Sequence, residues 1–158
     1  MSRGITPFLW FNDQAEAAAR FYTSVFKRSQ LGQITYYGEA GPGKKGSVLT
    51  ASFELDGQKF VALNGGDMYS FTPAVSFQIH CESQGEVDYY WERLSDGGAT
   101  NRCGWLTDRF GLSWQVVPDV LGELLQSPDT SQAQRVMKAM LQMDKIRIQD
   151  LIDASRAP

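Results

Sequence analysis

The sequence predicts an α+β fold: two βαβββ modules whose strands form a curved mixed sheet around a cavity, followed by C-terminal helices. Three observations predict it. Two helical apolar stripes recur 69 positions apart, from Ala18 to Val87 and onward. Each stripe follows a short strand-like run, and each precedes further β-type sequence.

The first module opens on the apolar run Ile5–Phe11, a strand by composition. Ala18, Phe21, Tyr22 and Val25 then fall at i, i+3, i+4 and i+7, one face of a helix. Asp13 with Glu16 reads as its capping box, an oxygen for the first-turn N–H groups and a carboxylate reaching back. Strands are expected at Ile34–Tyr37, Ser47–Leu55 and Gln58–Asn64. Asp56-Gly57 between the last two is a two-residue hairpin signal.

The second module repeats the order. Ala74–His80 is strand-like, and Phe8 maps to Phe77 under the same 69-residue shift. Val87, Tyr90, Trp91 and Leu94 form the second helical stripe, with Ser83 and Glu86 as its capping pair. Strands follow at Asn101–Thr107 and Leu112–Val117, joined by a turn at Asp108-Arg109-Phe110-Gly111 whose polar residues are expected to be exposed. Pro118 then introduces a short helix over Asp119–Gln126, and Pro128 ends it. Ala133, Val136, Met137, Met140 and Leu141 form a further stripe, expected to serve core or dimer packing. A last helical turn is expected over Asp150–Ala154. The expected organisation is therefore 1–118 as paired modules (1–72 and 73–118), with 119–158 as a helical extension.

Composition narrows the function. The chain has 158 residues, 15 basic and 18 acidic, for a net charge of −3. That balance speaks against a partner held by phosphate neutralisation, so no nucleic acid is expected. No apolar stretch approaches membrane-spanning length, and the first residues show no apolar signal core, so the cytoplasm is expected. Cys81 and Cys103 do not make a disulfide scaffold, and Cys103 beside Gly104 reads as a small apolar packer. The glycine-rich segment 38–46 nearly fits a phosphate-binding loop, with Gly38, Gly43 and Lys44 in place. Lys45 stands where a hydroxyl is needed, and the next element is a strand, so a flexible hairpin loop is expected.

Alternation along the strands assigns faces. Ser76, Gln78 and His80 share one face of their strand; Ser113, Gln115 and Val117 share one face of theirs. Ser76, Gln78, Ser113 and Gln115 could therefore line one polar concavity. Trp10 and Trp105 are amphipathic anchors able to close a pocket or a dimer contact.

Several blocks carry a family resemblance: Pro7-Phe8-Leu9-Trp10-Phe11, Phe21-Tyr22, Gly57-Gln58, Ala62-Leu63-Asn64, Ser76-Phe77 and Glu86-Val87-Asp88, with the run from Cys103 to Pro118 strongest. With the repeated module, the chain resembles the vicinal oxygen chelate superfamily, which includes glyoxalase I, bleomycin-resistance proteins and extradiol dioxygenases. It is most similar to the PhnB-like branch labelled 3-demethylubiquinone-9 3-methyltransferase. The resemblance implies one glyoxalase-like domain, a homodimer, and metal ligands at four strand positions. Those positions hold Pro7, Val61 or Ala62, Ser76 and Gln115. Proline cannot ligate, and uncharged hydroxyl and amide oxygens bind divalent ions weakly, so no metal and no cofactor is expected. A shifted set of His80, Asn64 and Gln115 is the alternative metal site. The label's methyl transfer finds no glycine-rich strand-to-helix loop to support it.

The expectation is thus a metal-free protein binding an unknown small molecule, with Ser76, Gln78, Ser113, Gln115, Asn64, Trp105 and His80 as candidate ligand-binding residues. An enzyme of the superfamily, metal-dependent or methyl-transferring, is the first alternative. A structural dimeric interaction module is the second.

Overall fold

The computed structural model describes residues 4–158. The chain divides into two compact units, meeting in sequence at Phe71 and Thr72.

The first unit contains β1 (Phe8–Phe11), α1 (Ala15–Val25), β2 (Ser29–Tyr36), β3 (Val48–Leu55) and β4 (Gln58–Asn64). Its sheet order is β1-β4-β3-β2, with β1 parallel to β4 and the other pairs antiparallel. The α1 stripe is buried as its spacing predicts. Ala15, Ala18 and Ala19 are fully buried, and their small side chains let the helix lie close to the sheet. Tyr22 then reaches the Phe53 ring at 5.8 Å, and Phe53 stacks on Phe60 at 5.2 Å. Asp56 and Gly57 take φ of 48° and 84°, the left-handed pair of a type I′ hairpin.

One predicted feature is replaced. The helix begins after Gln14, whose side chain makes no capping bond, so the Asp13–Glu16 box does not form. Asn64, at the end of β4, supplies the cap: its Oδ1 accepts from Ala15 N at 2.8 Å. Glu16 pairs instead with Arg20 one turn on.

The second unit holds β5 (Ser76–Cys81), α2 (Gln84–Ser95), β6 (Ala99–Thr100), β7 (Trp105–Thr107) and β8 (Ser113–Pro118), then α3 (Asp119–Leu125), α4 (Thr130–Met140) and α5 (Ile148–Arg156). Its sheet order, β5-β8-β7-β6, repeats the first, again with the outer strand parallel to the last. Val87, Trp91 and Leu94 are buried where Ala18, Tyr22 and Val25 are buried in α1. Here the capping pair forms: Ser83 Oγ accepts from Glu86 N, and Glu86 accepts from Glu82 N.

Of the strand expected at Asn101–Thr107 only Trp105–Thr107 forms, and a short strand, Ala99–Thr100, precedes the expected range. Cys103 and Gly104 both take positive φ, 60° and 81°, so the chain turns between β6 and β7. The turn aims two successive N–H groups outward, Cys103 N to Met143 O and Gly104 N to Asp144 O, each 2.8 Å.

Those two bonds begin the attachment of the C-terminal helices. Leu121, Val136, Met143, Ile146 and Leu151 form their core. Of the sequence stripe, Val136 is fully buried in this core, whereas Met137 and Leu141 are exposed; Leu141 follows the end of α4 at Met140. Gln84 completes the joint. Its Nε2 donates to Ile146 O at 3.0 Å, and its Oε1 accepts from Ile148 N at 2.8 Å. Lys145 pairs with Asp88 at 2.9 Å. Hydrogen bonds from Lys145 and then Gln84 hold the Asp88 carboxyl below its ordinary value. Gln84→Ala is expected to cost about 2 kcal/mol, the worth of two partly buried amide bonds. Limited trypsin digestion should then cut at Lys145 or Arg147 at least ~10-fold faster; an unchanged cleavage rate would show that the amide carries none of the attachment.

Candidate functional site

In each unit the helix covers one face of the sheet and leaves the other open. On the open face of the second sheet, the register places Gln78, Gln115 and Trp105 in one row across β5, β8 and β7. The adjacent row is Ser76, Ser113 and Thr107. Gln115 Nε2 donates to Ser76 Oγ at 2.9 Å, joining the two rows. Ser113 is buried, Ser76, Gln115 and Trp105 are half-buried, and Gln78 is exposed. Five of the seven predicted residues are therefore brought together on one face.

The other two lie outside these rows, His80 on the same face at the far end of β5. His80, also on β5, has a side chain 72% exposed and stands 3.4 Å from Asp119. Asn64 belongs to the first unit, and its side chain is spent: besides capping α1, its Nδ2 donates to Val48 O at 3.1 Å. Both polar atoms of the side chain are thus already engaged within the first unit.

Asp108 departs most from expectation. It was expected exposed in the turn, but it is 2% exposed. Its Oδ1 accepts from Phe110 N at 2.8 Å and Leu112 N at 3.1 Å, and its Oδ2 accepts from Trp114 Nε1 at 2.9 Å. This carboxylate builds the turn that starts β8. The Asp–x–x–Gly spacing is the signal that could have found it. Cys81 is buried, and that burial, followed by the charges of Glu86 and Asp119, pushes its thiol up to about 12. It supplies no thiolate nucleophile near neutrality.

Burial also settles the register between the modules. Leu9 and Ile79 face their helices, as do Ala62 and Val116. The first strands therefore correspond with a 70-residue shift, one more than the helices, and the last strands with a 54-residue shift; Phe8 does not match Phe77, for it is 61% exposed. Val61 then corresponds to Gln115, and Thr6 to Ser76. In this register the positions that the superfamily uses for metal ligands hold Thr6 and Val61 in the first unit and Ser76 and Gln115 in the second. These offer two hydroxyls, an amide already engaged with one of them, and a hydrocarbon. That donor set does not fit a divalent metal. Among the described residues no group of three or more His, Cys, Asp or Glu could hold one. The open face of the first sheet instead carries a shallow cavity of about 400 Å³ over Thr6, Gln30, Ser52, Glu54, Lys59 and Val61. The glycine-rich segment links β2 to β3, two antiparallel strands. It makes no strand-to-helix phosphate cradle, nor the loop that S-adenosylmethionine binding uses in parallel α/β sheets.

Comparison with known proteins agrees with this architecture. The family model described as 3-demethylubiquinone-9 3-methyltransferase matches residues 3–117. A PhnB protein from Bacillus cereus carrying the same methyltransferase description is 38% identical, with a TM-score of 0.67 over 73% of this chain and 99% of its own. A Pseudomonas aeruginosa protein is 21% identical, with a TM-score of 0.64 over 74% of this chain and 98% of its own. The fosfomycin resistance protein FosX from Mesorhizobium loti shares the fold at 16% identity, with a TM-score of 0.57 over 80% of this chain and 100% of its own. No curated protein matches the chain. The family match stops before α3, so the three C-terminal helices lie beyond it.

Proposed function

Because the chain belongs to the 3-demethylubiquinone-9 3-methyltransferase (PhnB-like) family of the vicinal oxygen chelate superfamily, we propose that it binds a small uncharged molecule on the open face of its second sheet, without a metal ion. The observation that carries this reading is the Gln78–Gln115–Trp105 row with Ser76 bonded to Gln115. Amides and hydroxyls there can donate to and accept from a carbonyl or hydroxyl, and the indole offers an apolar wall. No charged group stands in those two rows, which is why the expected ligand is uncharged. Nothing in them supplies a base, a nucleophile or a Lewis acid, so binding is supported ahead of turnover.

The reading includes a homodimer in the cytoplasm. Bare apolar surface supports the dimer: Phe8 is 61% exposed and Val75 63%. Two free cysteines fit a reducing compartment. Among the described residues, no helix is long and apolar enough to cross a membrane.

The test has two stages. Protein purified without chelator should contain less than ~0.1 equivalent of divalent metal, as expected of a donor set without charge. A thermal-shift panel of neutral metabolite-sized compounds should then yield ligands whose affinity falls ~10-fold in Gln115→Ala, the worth of one buried hydrogen bond. One equivalent of metal would overturn the metal-free reading. Ligands indifferent to Gln115→Ala would overturn the site.

A further inference from the structure

The glycine-rich segment that resembles a phosphate loop has a different use in the structure. It folds back beside Tyr37, and Gly41 and Gly43 lie so close to the Tyr37 ring that a Cβ on either would collide with it. Gly65 lies in the same way against the six-membered ring of Trp10. Each ring is also held from outside: Trp10 Nε1 donates to Gly66 O at 2.8 Å, and Tyr69 meets Trp10 edge-on at 5.0 Å. Tyr37 OH donates to Asn64 O at 2.5 Å. The two aromatic walls are thus preorganised before any ligand arrives.

Between them lies a cavity of about 490 Å³, lined by Trp10, Tyr37, Pro42, Leu49, Leu63 and Gly65 among others, with no charged side chain. A second cavity of about 370 Å³ adjoins it, sharing Tyr37, Pro42 and Gly65. That one adds polar and charged groups, with Asn12, Asp13, Glu16, Lys44 and Ser47 on its wall. All of these residues belong to the first unit.

We propose that the paired compartments form a binding site for a planar, uncharged aromatic compound whose hydroxyl or carbonyl reaches past Tyr37 into the polar compartment. The uncharged apolar lining excludes an ionised ring, since a charge there would lose its hydration with nothing to replace it. The indole and phenol faces favour a flat π-system over an aliphatic chain of equal volume. The polar compartment adds orientation, because a hydroxyl can exchange water for Asn12 or Ser47 at little cost. Glycine is required at 43 and 65 for the rings to stand where they do; the segment is a wall built to fit side chains of its own unit.

The probe is 1-naphthol, titrated into ¹⁵N-labelled full-length protein, with naphthalene as the comparison. Saturable shifts are expected at the Trp10 indole N–H and the amides of Gly38, Gly41 and Gly65. The Kd should be on the order of 0.5 mM, the scale ligand efficiency sets for so small a molecule. Naphthalene should bind several-fold more weakly. Gly43→Ala should weaken 1-naphthol at least ~10-fold by pushing Tyr37 into the cavity. Leu63→Thr, which suits a strand but makes the lining polar, should do so several-fold if the first variant folds poorly. Gln115→Ala should leave naphthol binding unchanged, which separates this site from the one on the second sheet. Absence of saturable shifts up to the solubility limit, shifts confined to other residues, or affinity unchanged from the unmodified protein in both first-unit variants would overturn the proposal.

Discussion

Asp108→Ala is expected to destabilise the second unit by about 3–5 kcal/mol, because one buried carboxylate is lost to three buried donors. Those donors are Phe110 N, Leu112 N and Trp114 Nε1. The substitution leaves each of them without its acceptor, in a place where the replaced group was 2% exposed. Water cannot reach all three without prising Trp114, itself 3% exposed, from the core. Asp108→Asn keeps the shape and part of the acceptor capacity, and should cost about half as much. Equilibrium urea unfolding followed by tryptophan fluorescence measures both. A loss below about 1 kcal/mol in Asp108→Ala would mean that the turn forms without its carboxylate.

Phe53→Ala should be as costly in the first unit, about 3–5 kcal/mol. Phe53 is 3% exposed, and its ring joins Tyr22 of α1 to Phe60 of β4. Truncation opens a cavity between helix and sheet that rigid β-strands cannot close. Hydrogen exchange locates the effect: amides of β3 and β4 should lose protection ahead of those of β8. Equal loss of protection in both sheets would show that the two units unfold as one, and uniform retention would show that the stack carries no stability.

The helices were legible because their evidence is local. Ala18, Tyr22 and Val25 recur as Val87, Trp91 and Leu94, and all six are buried. The strands were legible as elements but not in register. A helix stripe tolerates no shift without losing its spacing, whereas a strand shifted by one residue still alternates. So Phe8 aligned with Phe77 by sequence, while burial aligns Leu9 with Ile79. Five candidate site residues share a face because period-two alternation reports faces directly. The capping role of Asn64 was not legible because its partner, Ala15, lies 49 positions away. Asp108 was misjudged because polar turn residues are usually solvated, and nothing near it in sequence announces that Trp114 will fold over it. The Trp10–Tyr37 cavity depends on glycines placed against rings from other elements, and spacing carries no trace of that.

The joint between the second module and its C-terminal helices has a consequence for how the two can vary. Four of its hydrogen bonds end on peptide groups: the carbonyls of Met143, Asp144 and Ile146 and the N–H of Ile148. On the module's side two turn amides donate and one carboxamide both donates and accepts, so Gln84 behaves as a spare peptide unit inserted between strangers. Such a socket reads the path of a chain more than its letters; Met143 and Ile146, in the small core, and Lys145, against Asp88, are read by side chain as well. The module therefore accepts grafted tails. A foreign segment that keeps a methionine, a lysine and an isoleucine at these places, and turns as the native one does, should plug in likewise.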